Sequence, residues 1–145
     1  MDDKAPYPHE YALLIKEQHL DGFGHVNNAT YLTLFEEARW DWITKNGFGL
    51  KEIRDNAIGP VVLEARVRFQ RELTNRESVV IRSRTAEYSG KIGRVEQVIV
   101  RADGKIACSA EFVIGLFDLK TRKLIKPTPQ WLRAVAAPPP AEPAL

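Results

Sequence analysis

Four side chains capable of chemistry crowd into one short stretch: Asp21, His25, Asn27 and Asn28 fall within eight residues, interleaved with Gly22 and Gly24. The stretch reads as a strand exit, a glycine turn and the first turn of a long helix. Unpaired backbone N–H groups and the positive end of the helix dipole gather at such a terminus. A carbonyl oxygen that gains negative charge during an addition reaction would be stabilised there. A carboxylate beside it could attack the carbonyl carbon or activate a water against it, and Asp21 is placed for either. The same residues also suit a purely architectural role, because Asp and Asn close turns and cap helices with their short side chains.

The elements that must position these groups follow from periodicity. Residues 11–20 mix apolar and polar side chains as an opening strand would. Over residues 28–45 the apolar positions Tyr31, Phe35, Ala38 and Trp42 recur at helical spacing, with Asn27 or Asn28 as cap and Gly47 at the exit. That aromatic stripe reads as core. Beyond Pro60 the period falls to two, with Val61, Leu63, Ala65, Val67 and Phe69 on one face and Glu64, Arg66, Arg68 and Gln70 on the other. Further strands follow at Val79, Ile81 and Ser83, then Val95, Gln97 and Ile99, then Ile106, Cys108, Ala110, Phe112, Ile114 and Leu116. Ser89-Gly90 and Ala102-Asp103-Gly104 read as turns between antiparallel neighbours. The expected class is α+β in the order β-α-β-β-β-β, one long helix burying its stripe in the curve of an antiparallel sheet: a hotdog fold.

Bulk properties narrow the function. The chain has 145 residues, 44% of them hydrophobic and 28% charged, which suits one domain with its own core. Twenty-one basic residues face 19 acidic ones, and Glu64, Glu72 and Glu77 interrupt any basic stripe, so nucleic acid is not an expected partner. Cys108 stands alone, which excludes an intrachain disulfide, and no Cys/His cluster suggests a metal or other cofactor. Residues 1–9 lack the apolar centre of a signal peptide and no run reaches membrane-spanning length, so a cytoplasmic protein without a membrane partner is expected. Residues 1–9 read as an extension and 10–133 as the folded domain. Residues 134–145, with Pro138, Pro139, Pro140 and Pro143 among alanines, read as a disordered tail.

The wording Asp-x-x-Gly-His-Val-Asn-Asn from Asp21, then Tyr31, then Phe35-Glu-x-Ala-Arg, resembles the signature of 4-hydroxybenzoyl-CoA thioesterase-like hotdog enzymes. Within that family the bacterial long-chain acyl-CoA thioesterases share His-Leu-Asp, His-Val-Asn-Asn-Ala and Glu-Glu-Ala-Arg-Trp-Asp. A Gly-Lys turn at Gly90 and Lys91 and a final strand running to Thr121 fit less specifically, and the likeness spans about residues 10–125.

The resemblance implies hydrolysis of acyl-CoA thioesters, a place in fatty acid metabolism, and no cofactor. It makes Asp21 the catalytic carboxylate and the Asn28 N–H the donor that polarises the thioester carbonyl. His25 matches a histidine of the plant acyl-carrier-protein thioesterases. Their asparagine two residues after the aspartate is replaced here by Phe23, so His25 either takes part in catalysis or orients the loop. Gly24, Asn27, Tyr31, Phe35, Gly90 and Lys91 are the expected substrate-binding positions. Arg71, Arg76 and Arg94 join Lys91 as candidate contacts for coenzyme A phosphates. Glu36 is either solvated, paired with Arg39 or near a neighbouring subunit's site, and Glu37 is expected to be solvated. Family members assemble as homodimers or homotetramers. The alternatives are a non-catalytic acyl-CoA-binding module or a hotdog enzyme acting on carrier-protein thioesters. A hotdog dehydratase suits the His-Val-Asn-Asn setting poorly.

Overall fold

The structure, a computed structural model, describes residues 6–140. Strand β1 (His9–Leu14) leads through a 3-10 turn (Glu17–His19) and a loop into helix α1 (Thr30–Lys45). Helix α2 (Leu50–Asn56) follows, then strands β2 (Ile58–Phe69), β3 (Ser78–Ser89), β4 (Ile92–Arg101), β5 (Ile106–Asp118) and β6 (Lys123–Ile125), and finally helix α3 (Pro129–Ala134). All pairings are antiparallel, in the order β1-β3-β4-β5-β2, with β6 joined to β5. This is the α+β hotdog arrangement, extended by three elements that periodicity did not indicate: α2, β6 and α3.

Helix α1 is held by its stripe. Tyr31, Leu34, Phe35, Ala38, Trp42 and Ile43 are buried, against a sheet face built from Val79, Ile81, Val95, Ile99, Cys108, Ala110, Phe112, Ile114 and Leu116. Each large side chain so buried stabilises the fold by roughly 1.5–3 kcal/mol. Phe35 meets Phe112 edge-on with centroids 5.8 Å apart. The exit at Gly47 is as expected: its φ of 90° is open to glycine at little cost, and its N–H returns to Thr44 O.

Several boundaries differ from the periodic reading, each for a local reason. The opening strand ends at Leu14 because Leu20 N–H bonds to Glu17 O and Lys16 N–H bonds to His19 Nδ1, coiling the chain where a longer strand was expected. Helix α1 starts at Thr30 and neither asparagine caps it. Asn27 instead spends its Oδ1 on Ala29 N–H, 2.9 Å away, closing a turn before the helix begins. In β2 the two-residue alternation fails at a bulge between Val62 and Glu64, which shifts the register against β5. Leu63 is 46% and Phe69 54% exposed, because β2 is the outer strand and, among the described residues, only one of its edges is paired.

The core also runs past residue 133. Trp131, Ala134 and Val135 are buried, and Thr128 caps α3 by accepting from Trp131 N–H. Asn46 Nδ2 donates to Ala134 O and Thr85 Oγ1 to Val135 O, tying the segment to α1 and β3. Pro143 lies outside the described residues. No helix among the described residues is long and apolar enough to cross a membrane.

Candidate active site

The loop between β1 and α1 is folded back on itself. Leu20 and Val26 form an isolated bridge, Asp21 N–H bonds to His25 O at 3.0 Å, and Gly24 N–H bonds to Asp21 O at 3.2 Å. Gly24 has φ +84°, a conformation in which a side chain is strained. His25 pairs with Thr74 and Val26 N–H bonds to Leu73 O, so the loop is stitched to the segment before β3. A short sequence thus becomes a hydrogen-bonded rim.

On that rim Asp21 Oδ1 accepts from Phe23 N–H at 2.8 Å, while Oδ2 stands 3.7 Å from His25 Nδ1. The Asp21 side chain keeps 23% of its surface exposed, enough to meet a ligand from the open side. His25 is flanked by the Phe23 ring, stacked at 6.0 Å and 12°. Asp21, His25, Asn28 and Tyr31 line one cavity of about 440 Å³ together with Phe23, Val26 and residues 69–72. Among the described residues the Asn28 N–H has no hydrogen-bond acceptor, although its neighbours Asn27 and Ala29 are committed. An unpaired donor beside a carboxylate, just ahead of a helix N-terminus, can polarise a carbonyl that the carboxylate or a water attacks.

The remaining expected residues are distributed unevenly. Tyr31 forms the floor, 4% exposed and edge-on to Phe69 at 5.3 Å; burial pushes its phenol up to about 12, so it serves as a neutral wall. Asn27 builds the turn and does not line the cavity. Phe35 is fully buried and is core, since it faces inward on α1 toward Phe112. Gly90 and Lys91 form the β3–β4 turn, where Lys91 O lies beside Gly115. Phe69 of the Asp21 cavity pairs with Cys108, and from Cys108 to Gly115 the strand extends roughly 23 Å. Within one chain the turn and Asp21 are therefore at opposite ends of the sheet. Of the basic candidates only Arg71 lines the cavity, with its Nη1 donating to Ile106 O at 2.7 Å. Arg76 pairs with Glu17, and Arg94 with Glu87 and Glu111. Glu37 is exposed and accepts from Tyr11 OH at 2.8 Å.

A second cavity, of about 370 Å³, opens between α1 and the sheet. Its lining is chiefly apolar, from Trp40, Trp42, Ile43, Val61, Ile114 and Trp131, with Glu36 and Arg39 the charged members. Val61 reaches it from β2, whereas Trp131 comes from a helix that periodicity missed. The Thr128-Pro129 pair was the available signal, a capping residue followed by proline at the first helical position. Cys108 lies fully buried in the core, and burial pushes its thiol up to about 12.

The chain matches the model of the Thioesterase-like superfamily over residues 15–141. It is 32% identical over 112 residues to the long-chain acyl-CoA thioesterase FadM of Escherichia coli, covering 77% of this chain and 84% of that relative. Among solved structures, the probable thioesterase YbaW of Escherichia coli superposes with a TM-score of 0.76 at 28% identity, covering 87% of this chain and 95% of that one. A Staphylococcus aureus protein solved in complex with CoA has a TM-score of 0.83 at 18% identity, over 93% of this chain and 89% of the other, a likeness of fold.

Proposed function

Because the chain belongs to the thioesterase-like superfamily, we propose that it hydrolyses acyl-CoA thioesters to a free acid and coenzyme A, with Asp21 as its reacting carboxylate. One observation carries the reading: the Asp21 carboxylate and the uncommitted Asn28 N–H line a single open cavity. The thioester carbonyl oxygen accepts from Asn28 N–H, so negative charge developing on it is stabilised without rearrangement.

Two routes use this arrangement. In the first, an Asp21 oxygen attacks the carbonyl carbon, the C–S bond breaks, and coenzyme A leaves as a thiolate; water then hydrolyses the mixed anhydride and restores the carboxylate. In the second, Asp21 takes a proton from water as that water adds, and the proton passes to the departing sulfur. His25, 3.7 Å from Asp21 and stacked on Phe23, orients the carboxylate or relays the proton in either route.

The folded unit pairs with a second copy along β2. Among the described residues its outer edge is unpaired, and Val62, Leu63 and Phe69 on the strand are each more than 40% exposed. An isolated protein would leave such an edge open to aggregation. A two-fold axis sets β2 antiparallel to its copy, bringing the Phe69 end of one strand to the Ile58 end of the other. The Asp21 cavity of one protomer then meets the apolar cavity and the Gly90-Lys91 turn of its partner. The acyl group enters the apolar cavity, while Lys91 and Arg71 serve the phosphates of coenzyme A.

The test is free-thiol release from acyl-CoAs of graded chain length, comparing wild type with Asp21→Asn. Turnover by the wild type and its collapse in a folded Asp21→Asn variant is the expected result. A variant with near-native turnover removes Asp21 from its role, and a folded wild type that releases no thiol from any acyl-CoA overturns the activity itself.

A further inference from the structure

The apolar cavity beside α1 holds a charged side chain for which a hydrocarbon has no use. Arg39 reaches into it, its Nη1 donating to Gln97 Oε1 at 2.9 Å and its Cζ lying 4.2 Å from the centre of the Phe112 ring. Gln97 is a fixed partner: it is fully buried, and its Nε2 donates to Phe35 O and Ser83 Oγ. The guanidinium is thus held at a set place in the wall. Among the described residues no carboxylate stands within ion-pair distance of it. A guanidinium has five N–H donors, and among the described residues the Gln97 bond is its one side-chain hydrogen bond. The other Arg39 nitrogens are not sealed inside protein, and Arg39 is part of the cavity wall.

Burial already weighs on this cation and pushes it down to about 10, while Glu36 at longer range counteracts the shift. A plain alkyl chain filling the cavity would strip water from the open donors and return nothing to them, a loss that buried polar groups make expensive. An acyl group with its own oxygen would replace that water. Glu36 lines the same cavity and offsets the Arg39 charge, which favours a neutral oxygen over a second carboxylate. Building on the acyl-CoA reading above, we propose that Arg39 selects acyl groups bearing a hydroxyl or oxo oxygen by donating to that oxygen inside the cavity.

The experiment compares CoA thioesters of equal chain length carrying a plain alkanoyl, a hydroxyacyl, an oxoacyl or an ω-carboxyacyl group. Ratios of kcat/KM are measured for wild type, Arg39→Leu and Arg39→Lys, and ratios of affinity are measured by calorimetry on Asp21→Asn. The wild type favours the hydroxyacyl or oxoacyl compound over the alkanoyl one by about tenfold or more, the scale set by leaving a buried donor unpaired. Arg39→Leu brings that ratio to one or below, and Arg39→Lys, which keeps a donor, retains part of it. Ratios within one protein are unaffected by the amount that folds, and the Lys variant serves if the Leu variant does not fold. A flat ratio in the wild type, an unchanged ratio in Arg39→Leu, or a preference for the ω-carboxyacyl compound overturns the proposal. If the wild type turns over nothing, hydrolysis is refuted, yet the affinity ratios on Asp21→Asn still decide whether Arg39 selects oxygenated acyl groups.

Discussion

Replacing Asn28 by proline deletes the one group assigned to the carbonyl oxygen while leaving the carboxylate in place. The native Asn28 N–H has no acceptor among the described residues, so its removal breaks no hydrogen bond of the fold. Residue 28 also precedes the first helical residue, Thr30, so no helical N–H is lost. The expected stability change is therefore small, within about 1 kcal/mol. Catalysis is different. Losing one oxyanion donor costs about 2.7–4 kcal/mol of transition-state stabilisation, or roughly a hundred- to thousand-fold in kcat. Asn28→Ala keeps the N–H and should stay within about tenfold of wild type, which separates the backbone donor from the side chain. The assay is steady-state thiol release for the three proteins, with thermal unfolding of each as the control. Near-native kcat in a folded Asn28→Pro protein refutes the assignment, as does an equal loss in Asn28→Ala.

Three further outcomes follow from the same structure. Leu63→Lys puts a charge on the exposed β2 strand and should convert a dimer to a monomer of low thioesterase activity; sedimentation showing an unchanged assembly contradicts pairing through β2. Trp131→Ala removes a fully buried ring that meets Phe48 edge-on and donates to Tyr88 OH, and should cost about 3–5 kcal/mol by denaturant unfolding. A change below about 1 kcal/mol would mean that α3 is not part of the core. Cys108, with its thiol raised to about 12 and no exposed surface, should resist thiol reagents at pH 8 and react once denatured. Its thiolate becomes available only as pH rises, so rapid labelling of the native protein at pH 8 contradicts that burial.

What the sequence determined by itself is local. The stripe Tyr31, Phe35, Ala38 and Trp42 specified α1, because helical spacing puts those residues on one face whatever surrounds them. Alternation specified β3, β4 and β5, whose inward faces are sealed. The density of polar residues from Asp21 to Asn28 marked the candidate site, since such residues are seldom gathered without a turn or a reaction to serve. Tertiary structure decided the rest. Alternation in β2 promised an inward face for Leu63 and Phe69, but a bulge and an outer position in the sheet left both exposed. Phe35 belonged to a family motif and became core, because burial depends on which face of α1 meets Phe112. Gly90 and Lys91 are far from Asp21 because strand length, not sequence proximity, separates the two ends of a sheet. Helical spacing offered a pairing with Arg39 as one of three alternatives for Glu36; the fold set Arg39 against Gln97, 58 positions away in sequence and 2.9 Å distant. Spacing along a chain fixes which side chains share a face, but only packing fixes what that face meets.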